Sequence, residues 1–333
     1  MIIDSHAHVV MPTQMTAYIG ELVANRANPD TRRGAVPSDE VLREVAEGLI
    51  TKMDEVGTDV QFLSPRPYIQ MHSVKPSKVT ETWTRAVNDV IHRQCEMFPD
   101  RFRGIAGLPQ YRDSSPTNTL EELERCVKEL GFIGCLINPD PTEGDASPPP
   151  GLGDRFWYPL YEKLVELDIP ALVHSAGCCH PREPYTLKFI NEESIGTISL
   201  LSSTVFEDFP TLKLIMPHGG GAIPYQMGRF RAWHHRRSLE GTFDDKLKKL
   251  YFDTCNYSKD SLELLIRVAG VDNVLFGTER PGTGTVKDPA TGKWYDDLKP
   301  VIESIDWLSE EDKSKIFEKN AKKLYTRAFS VNR

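Results

Sequence analysis

The sequence has no apolar run approaching the ~20 residues that a membrane-spanning helix requires. It also has no excess of positive charge: 40 Lys and Arg face 48 Asp and Glu, for a net charge of −8. Nucleic-acid partners ordinarily need a basic footprint, so that class is disfavoured, and a nuclease with it. Cysteine is sparse. Cys95, Cys126, Cys135, Cys178, Cys179 and Cys255 show no CxxC spacing, which predicts reduced thiols rather than a disulfide framework. No basic segment followed by an apolar stretch opens the chain, which predicts a cytoplasmic protein. No internal repeat or compositional boundary divides the 333 residues, so one domain over 1–333 is expected.

What is present is an alternation. Short β-rich runs occur at 1–6, 59–65, 102–109, 132–138, 169–175, 212–218, 250–255 and 273–279. Several are almost continuously apolar, as strands buried on both faces of a parallel sheet are. Helical periodicity falls between them, at 40–56, 79–97, 117–130, 154–167, 194–207, 222–237, 259–269 and 308–327. Eight strand-then-helix units predict a (β/α)8 barrel of the TIM type. An open doubly wound sheet is the alternative, and the absence of GxGxxG after the first strand weighs against it. Two loops, 139–154 and 280–297, follow strand ends and read as lids or subunit contacts; 9–39, with little pattern, is expected to cover the same mouth.

The polar residues sit at the strand ends. The first strand closes on His6 and His8, two apart, so both imidazoles share one face of an extended chain. Arg66 follows the second strand, Asn138 ends the fourth, His174 the fifth, His218 the sixth and Glu279 the eighth. In a barrel all these ends rim one mouth. Three imidazoles and a carboxylate form a borderline donor set that suits Zn2+, with Mn2+ or Fe2+ as alternatives. Arg66 offers a fork of donors for a substrate carboxylate. HGGG at 218–221 is expected to open a helix, with the amides of Gly219 and Gly220 free for an anionic group; close strand-to-helix packing would explain the same glycines equally well. The run 228–237 reads as a solvated basic helix face. His180 is a weaker candidate contact, and His72 and His92 have no evident partner.

On these residues the chain resembles the amidohydrolase superfamily, specifically the branch of ACMSD-like decarboxylases and hydratases of aromatic-acid catabolism. The resemblance runs through most of the chain. It is densest at 123–141, 154–174, 209–231, 251–255 and 288–297, and includes IIDSHAH (2–8) and SPR (64–66). It implies that His6, His8, His174 and Glu279 ligate one metal, that His218 is an acid/base residue, and that Arg66 clamps a carboxylate. Most members of the superfamily carry Asp after the eighth strand; Glu279 resembles the hydratases. Binuclear members often bridge two metals with a Lys of the fourth strand, and FIGCLIN has none. Residues 175–195 and 9–58 depart from the pattern, with Phe189 near the place of a family tyrosine.

The expected activity is a zinc-dependent lyase that hydrates an unsaturated keto-polycarboxylate. Glu279 or the metal would take a proton as water adds, and His218 would protonate the resulting enolate; Arg66, Asn138, Gly219 and Gly220 would meet the substrate. A nonoxidative decarboxylase of a hydroxylated aromatic carboxylate is the first alternative, and a lactone or amide hydrolase the second. A non-catalytic binding protein would have lost ligands, and none is missing. The resemblance further implies a homodimer.

Overall fold

A computed structural model describes residues 1–26 and 37–329, so the middle of the 9–39 stretch lies outside the described residues. Eight parallel strands form one sheet in the order of the sequence. They are β1 (Ile3–His8), β2 (Val60–Ser64), β3 (Phe102–Ala106), β4 (Gly134–Ile137), β5 (Ala171–Val173), β6 (Leu214–Met216), β7 (Tyr251–Asp253) and β8 (Val274–Leu275). The chain after β8 returns to β1: Ser5 N–H donates to Phe276 O, Glu279 N–H to His6 O and His8 N–H to Arg280 O. These bonds close the cylinder and give the expected (β/α)8 barrel.

Alternation along the strands explains both its core and its mouth. Ile3, Phe62, Ile105, Leu136, Leu172, Ile215 and Leu275 meet inside the barrel, and Leu324 and Tyr325 of the C-terminal segment join them. Two residues further along, the same inward face carries Ser64, Asn138 and His174. On β1 the parity changes. The β1–β2 register shifts between Asp4 and Ala7, so Ile3 faces inward below while His6 and His8 face inward above. Such a bulge re-aims side chains beside a site. β8 instead needs a glycine, because a Cβ on Gly277 would lie 2.9 Å from that of His6.

The larger cluster packs helices onto the outside of the sheet. Helix Asp39–Val56 shows why such segments fold: Ser38 caps it by accepting from Val41 N–H, Leu42, Ala46, Leu49 and Met53 form its buried stripe, and Gly57 ends it at φ +74°. Three expected helices differ. The fifth runs Tyr185–Leu201, starting nine residues before the expected 194, because its buried face includes Lys188 and Glu193 and so hides the apolar stripe. The segment after β6 does not open on HGGG: His218–Gly220 is a 3-10 turn and the helix is Met227–Arg236. The last, expected over 308–327, is divided into Glu310–Ser314, a π turn Lys315–Lys319 and Asn320–Leu324.

Both long loops are tied down. In 139–154, Asp140 accepts from buried Lys188 at 2.7 Å and Glu143 accepts from Gly177 N–H at 3.1 Å. In 280–297, Arg280 and Asp296 form a buried two-point ion pair. Among the described residues, no helix is long and apolar enough to cross a membrane.

Candidate metal centre

His6, His8 and His174 converge at the C-terminal mouth, with ring centroids 5.0–5.5 Å apart. Each is fully buried, and each has Nδ1 engaged from behind. His6 Nδ1 lies 2.6 Å from Asp253 Oδ2, His174 Nδ1 is 2.7 Å from Ser175 O, and His8 Nδ1 is 2.8 Å from Ser64 Oγ. The Ser64 hydroxyl donates onward to Ala7 O, so it accepts from His8. Each Nδ1 therefore carries a proton, and each Nε2 is the nitrogen turned toward the common centre. All three Nε2 atoms are buried without a partner. An orphaned buried polar atom is costly, and three facing one point need a common partner. Burial, and then the neighbouring imidazoles, push the pKa values of His8 and His174 well below the ordinary range, so both remain neutral. Neutral imidazoles braced through Nδ1 are the form in which histidine binds a divalent cation.

Glu279 completes the donor set. One ligand atom each from His8, His174 and Glu279 lies within 4.8 Å of the others, and the same holds for His6, His174 and His218. Tyr257 donates to Glu279 Oε2 at 2.6 Å, leaving Oε1 3.2 Å from His218 Nε2. On its other side, His218 Nδ1 lies 2.7 Å from Glu193 Oε1. Burial opposes charge on the ring, but the two flanking carboxylates prevail and hold the pKa of His218 well above the ordinary range. Burial likewise opposes charge on Glu279, and the His218 imidazolium outweighs it to hold the carboxyl ionised. Both residues have left-handed backbones, with φ +49° at His218 and +62° at Glu279. Strain of this kind persists only where surrounding structure fixes it, and it gathers at functional sites.

Arg66 stands at the rim, its guanidinium 5.0 Å from the Tyr68 ring and its Nε buried without a partner. Tyr185 continues that wall, 6.1 Å from Tyr68 and 4.2 Å from Phe189 between ring centres. Phe189 packs against His174 and lies parallel to the His218 ring.

Three expected substrate contacts are engaged elsewhere. Gly219 N–H donates to Asp253 Oδ1 and Gly220 N–H to Pro217 O, and Cβ atoms here would strike Asn256 and Phe252. These glycines allow close packing at φ +64° and +78°, and their amides are already bonded within the protein. Asn138 donates to His72 Nδ1 at 2.9 Å and accepts from Asp140 N–H at 3.1 Å. It organises the loop after β4 and gives His72 the partner that the sequence did not reveal. His92 also has one, in Leu130 O. His180 is solvent-exposed. Asp253, Tyr257 and Glu193 are the functional neighbours that sequence reasoning missed. The tip position of Asp253, in YFDTC, was the available signal for the first.

A closed parallel barrel with metal-ready histidines on its first and fifth strands and a carboxylate beyond its eighth defines a metal-dependent barrel enzyme. The chain belongs to the amidohydrolase family, whose model matches residues 3–327. It is 38% identical to 2-keto-4-carboxy-3-hexenedioate hydratase of Sphingobium sp. over 98% of this chain and 96% of that one. Its structure superposes on that of 4-oxalomesaconate hydratase from Rhodopseudomonas palustris with a TM-score of 0.89 at 37% identity, covering 98% and 96% of the two chains. It is also 29% identical to gamma-resorcylate decarboxylase of Polaromonas sp., over 85% of this chain and 88% of that one.

Proposed function

We propose that the chain is a metal-dependent hydro-lyase that adds water across the double bond of an unsaturated, keto-bearing polycarboxylate, as its hydratase relatives are named for doing. The observation that carries this reading is the pairing of three bare imidazole nitrogens with a carboxylate that also touches a doubly braced histidine. His6, His8, His174 and Glu279 would hold one divalent ion, with Zn2+ preferred and Mn2+ or Fe2+ the alternatives for such a donor set. When bound, that ion supplies Lewis-acid activation of water, lowering its pKa from ~15.7 toward ~7.

The chain's own residues do the rest. Glu279 accepts the proton released as water adds to the double bond. The substrate keto group draws the electron pair into an enolate, and His218 delivers its Nε2 proton to the enolate carbon. Arg66 holds a substrate carboxylate through its unpartnered guanidinium edge. Orientation by fixed charges of this kind supplies much of the barrier reduction. Assembly as a cytoplasmic homodimer belongs to the same reading, and light scattering on the purified protein checks the dimer.

The test is a turnover screen of ring-cleavage products and hydroxylated aromatic carboxylates, with metal analysis on the same sample. Loss of the substrate's conjugated absorbance with gain of one water supports the hydratase. Release of CO2 would assign the decarboxylase instead, and a cleaved lactone or amide the hydrolase.

A further inference from the structure

Helix Tyr185–Leu201 presents Tyr185, Phe189 and Glu193 at four-residue spacing, so the three stand one above another on a single face. Tyr185 reaches the rim, Phe189 the middle of the mouth, and Glu193 the base of His218. Glu193 is fully buried. One of its oxygens meets His218 Nδ1, and the other has no partner. A buried carboxylate with a single polar side-chain contact is a liability to stability, costing several kcal/mol unless its partner repays it. That contact lies on the side of the imidazole opposite Glu279.

We propose that Glu193 is a positioning residue: by accepting from Nδ1 it fixes the orientation of His218 so that Nε2 is the atom offered to the substrate, while Phe189, one turn earlier on the same helix, holds the ring plane. Accepting the Nδ1 proton leaves Nε2 as the working nitrogen. Phe189 lies 5.8 Å from the His218 ring at an interplanar angle of 15°, which opposes rotation of the ring out of that plane. The helix after β5 thus acts on the reaction without touching the reacting atoms. The role in turnover rests on the hydratase reading above; the Nδ1 contact does not.

Two readouts test it on the metal-loaded enzyme. In Glu193→Gln, kcat is expected to fall on the order of 10²-fold, the lower range for a lost acid/base contribution, with KM within about twofold, metal content unchanged and the thermal midpoint retained. Nitrogen-15 spectra of histidine-labelled protein, recorded without substrate, should show a His218 Nδ1 signal displaced by its hydrogen bond to Glu193 in the wild type, with that displacement reduced in the variant. Glu193→Met removes the carboxylate at similar volume and provides a second folded test should the glutamine variant aggregate. A kcat within threefold of wild type in either variant overturns the proposal. So does a loss of kcat that follows metal content, or an unchanged His218 spectrum. A wild-type enzyme without hydratase turnover refutes the hydratase reading instead, because the spectra are read independently of it.

Discussion

Single side chains in this protein are placed by what lies behind them. His218 differs from His6, His8 and His174 because carboxylates flank both of its nitrogens. His218→Asn should therefore keep its metal and lose turnover by about 10²–10⁴-fold, measured as kcat beside metal content; a variant with near-normal kcat would remove His218 from the chemistry. His72 shows the opposite environment. Its Nδ1 accepts from Asn138 and its Nε2–H donates to Leu108 O, so only the neutral ring fits. Burial, partly offset by Glu143, pushes its pKa down to about 4. The unfolded chain takes up that proton near pH 6.5, so the stabilisation is complete above pH 6.5 and is lost as pH falls toward 4. The His72 share of that loss is up to about 3 kcal/mol. Thermal midpoints across this range should fall less steeply in His72→Gln than in the wild type, and parallel curves would exclude the residue.

At the scale of elements, the helix after β5 and the loop after β4 are held together by one buried cation. Lys188 bonds Asp140 at 2.7 Å and Glu192 at 2.8 Å. Lys188→Met leaves both carboxylates uncompensated and should cost ~3–5 kcal/mol, seen in urea unfolding, with the 139–154 loop becoming open to protease. An unchanged midpoint would show that the pair contributes nothing net. The same helix marks where sequence reading stopped. Strands were legible because burial on both faces makes apolar runs, and His6, His8, His174 and Glu279 were legible because strand tips in a parallel barrel share one rim. Glu193 was not, since its burial depends on a helix whose inward face is partly charged. Gly219 and Gly220 were read as donors because the motif carries no record of their positive φ values or of the side chains crowding them. Asn138 looked like a substrate contact for a related reason: its partners, His72 and Gln110, come from other loops.

For the whole molecule, the metal centre and the barrel seam coincide. His6 and His8 lie on the first strand and Glu279 just beyond the last, and backbone bonds join the two segments at the same level. An ion held by all of them, as proposed above, would tie the seam. Its removal by a chelator should lower the thermal midpoint, since stability loses the free energy that binding supplies, about 4 kcal/mol when the free metal exceeds its Kd by 1,000-fold. Identical midpoints with and without chelator would mean that the ion adds nothing to closure.

The bulge between Asp4 and Ala7 turns His6 and His8 inward once β1 pairs with β2, yet the carboxylate they face lies beyond the eighth strand. A barrel whose seam is open carries only part of the proposed donor set. High-affinity capture of an ion by that set would wait until the first and eighth strands have met, which would couple metal loading to completion of the barrel.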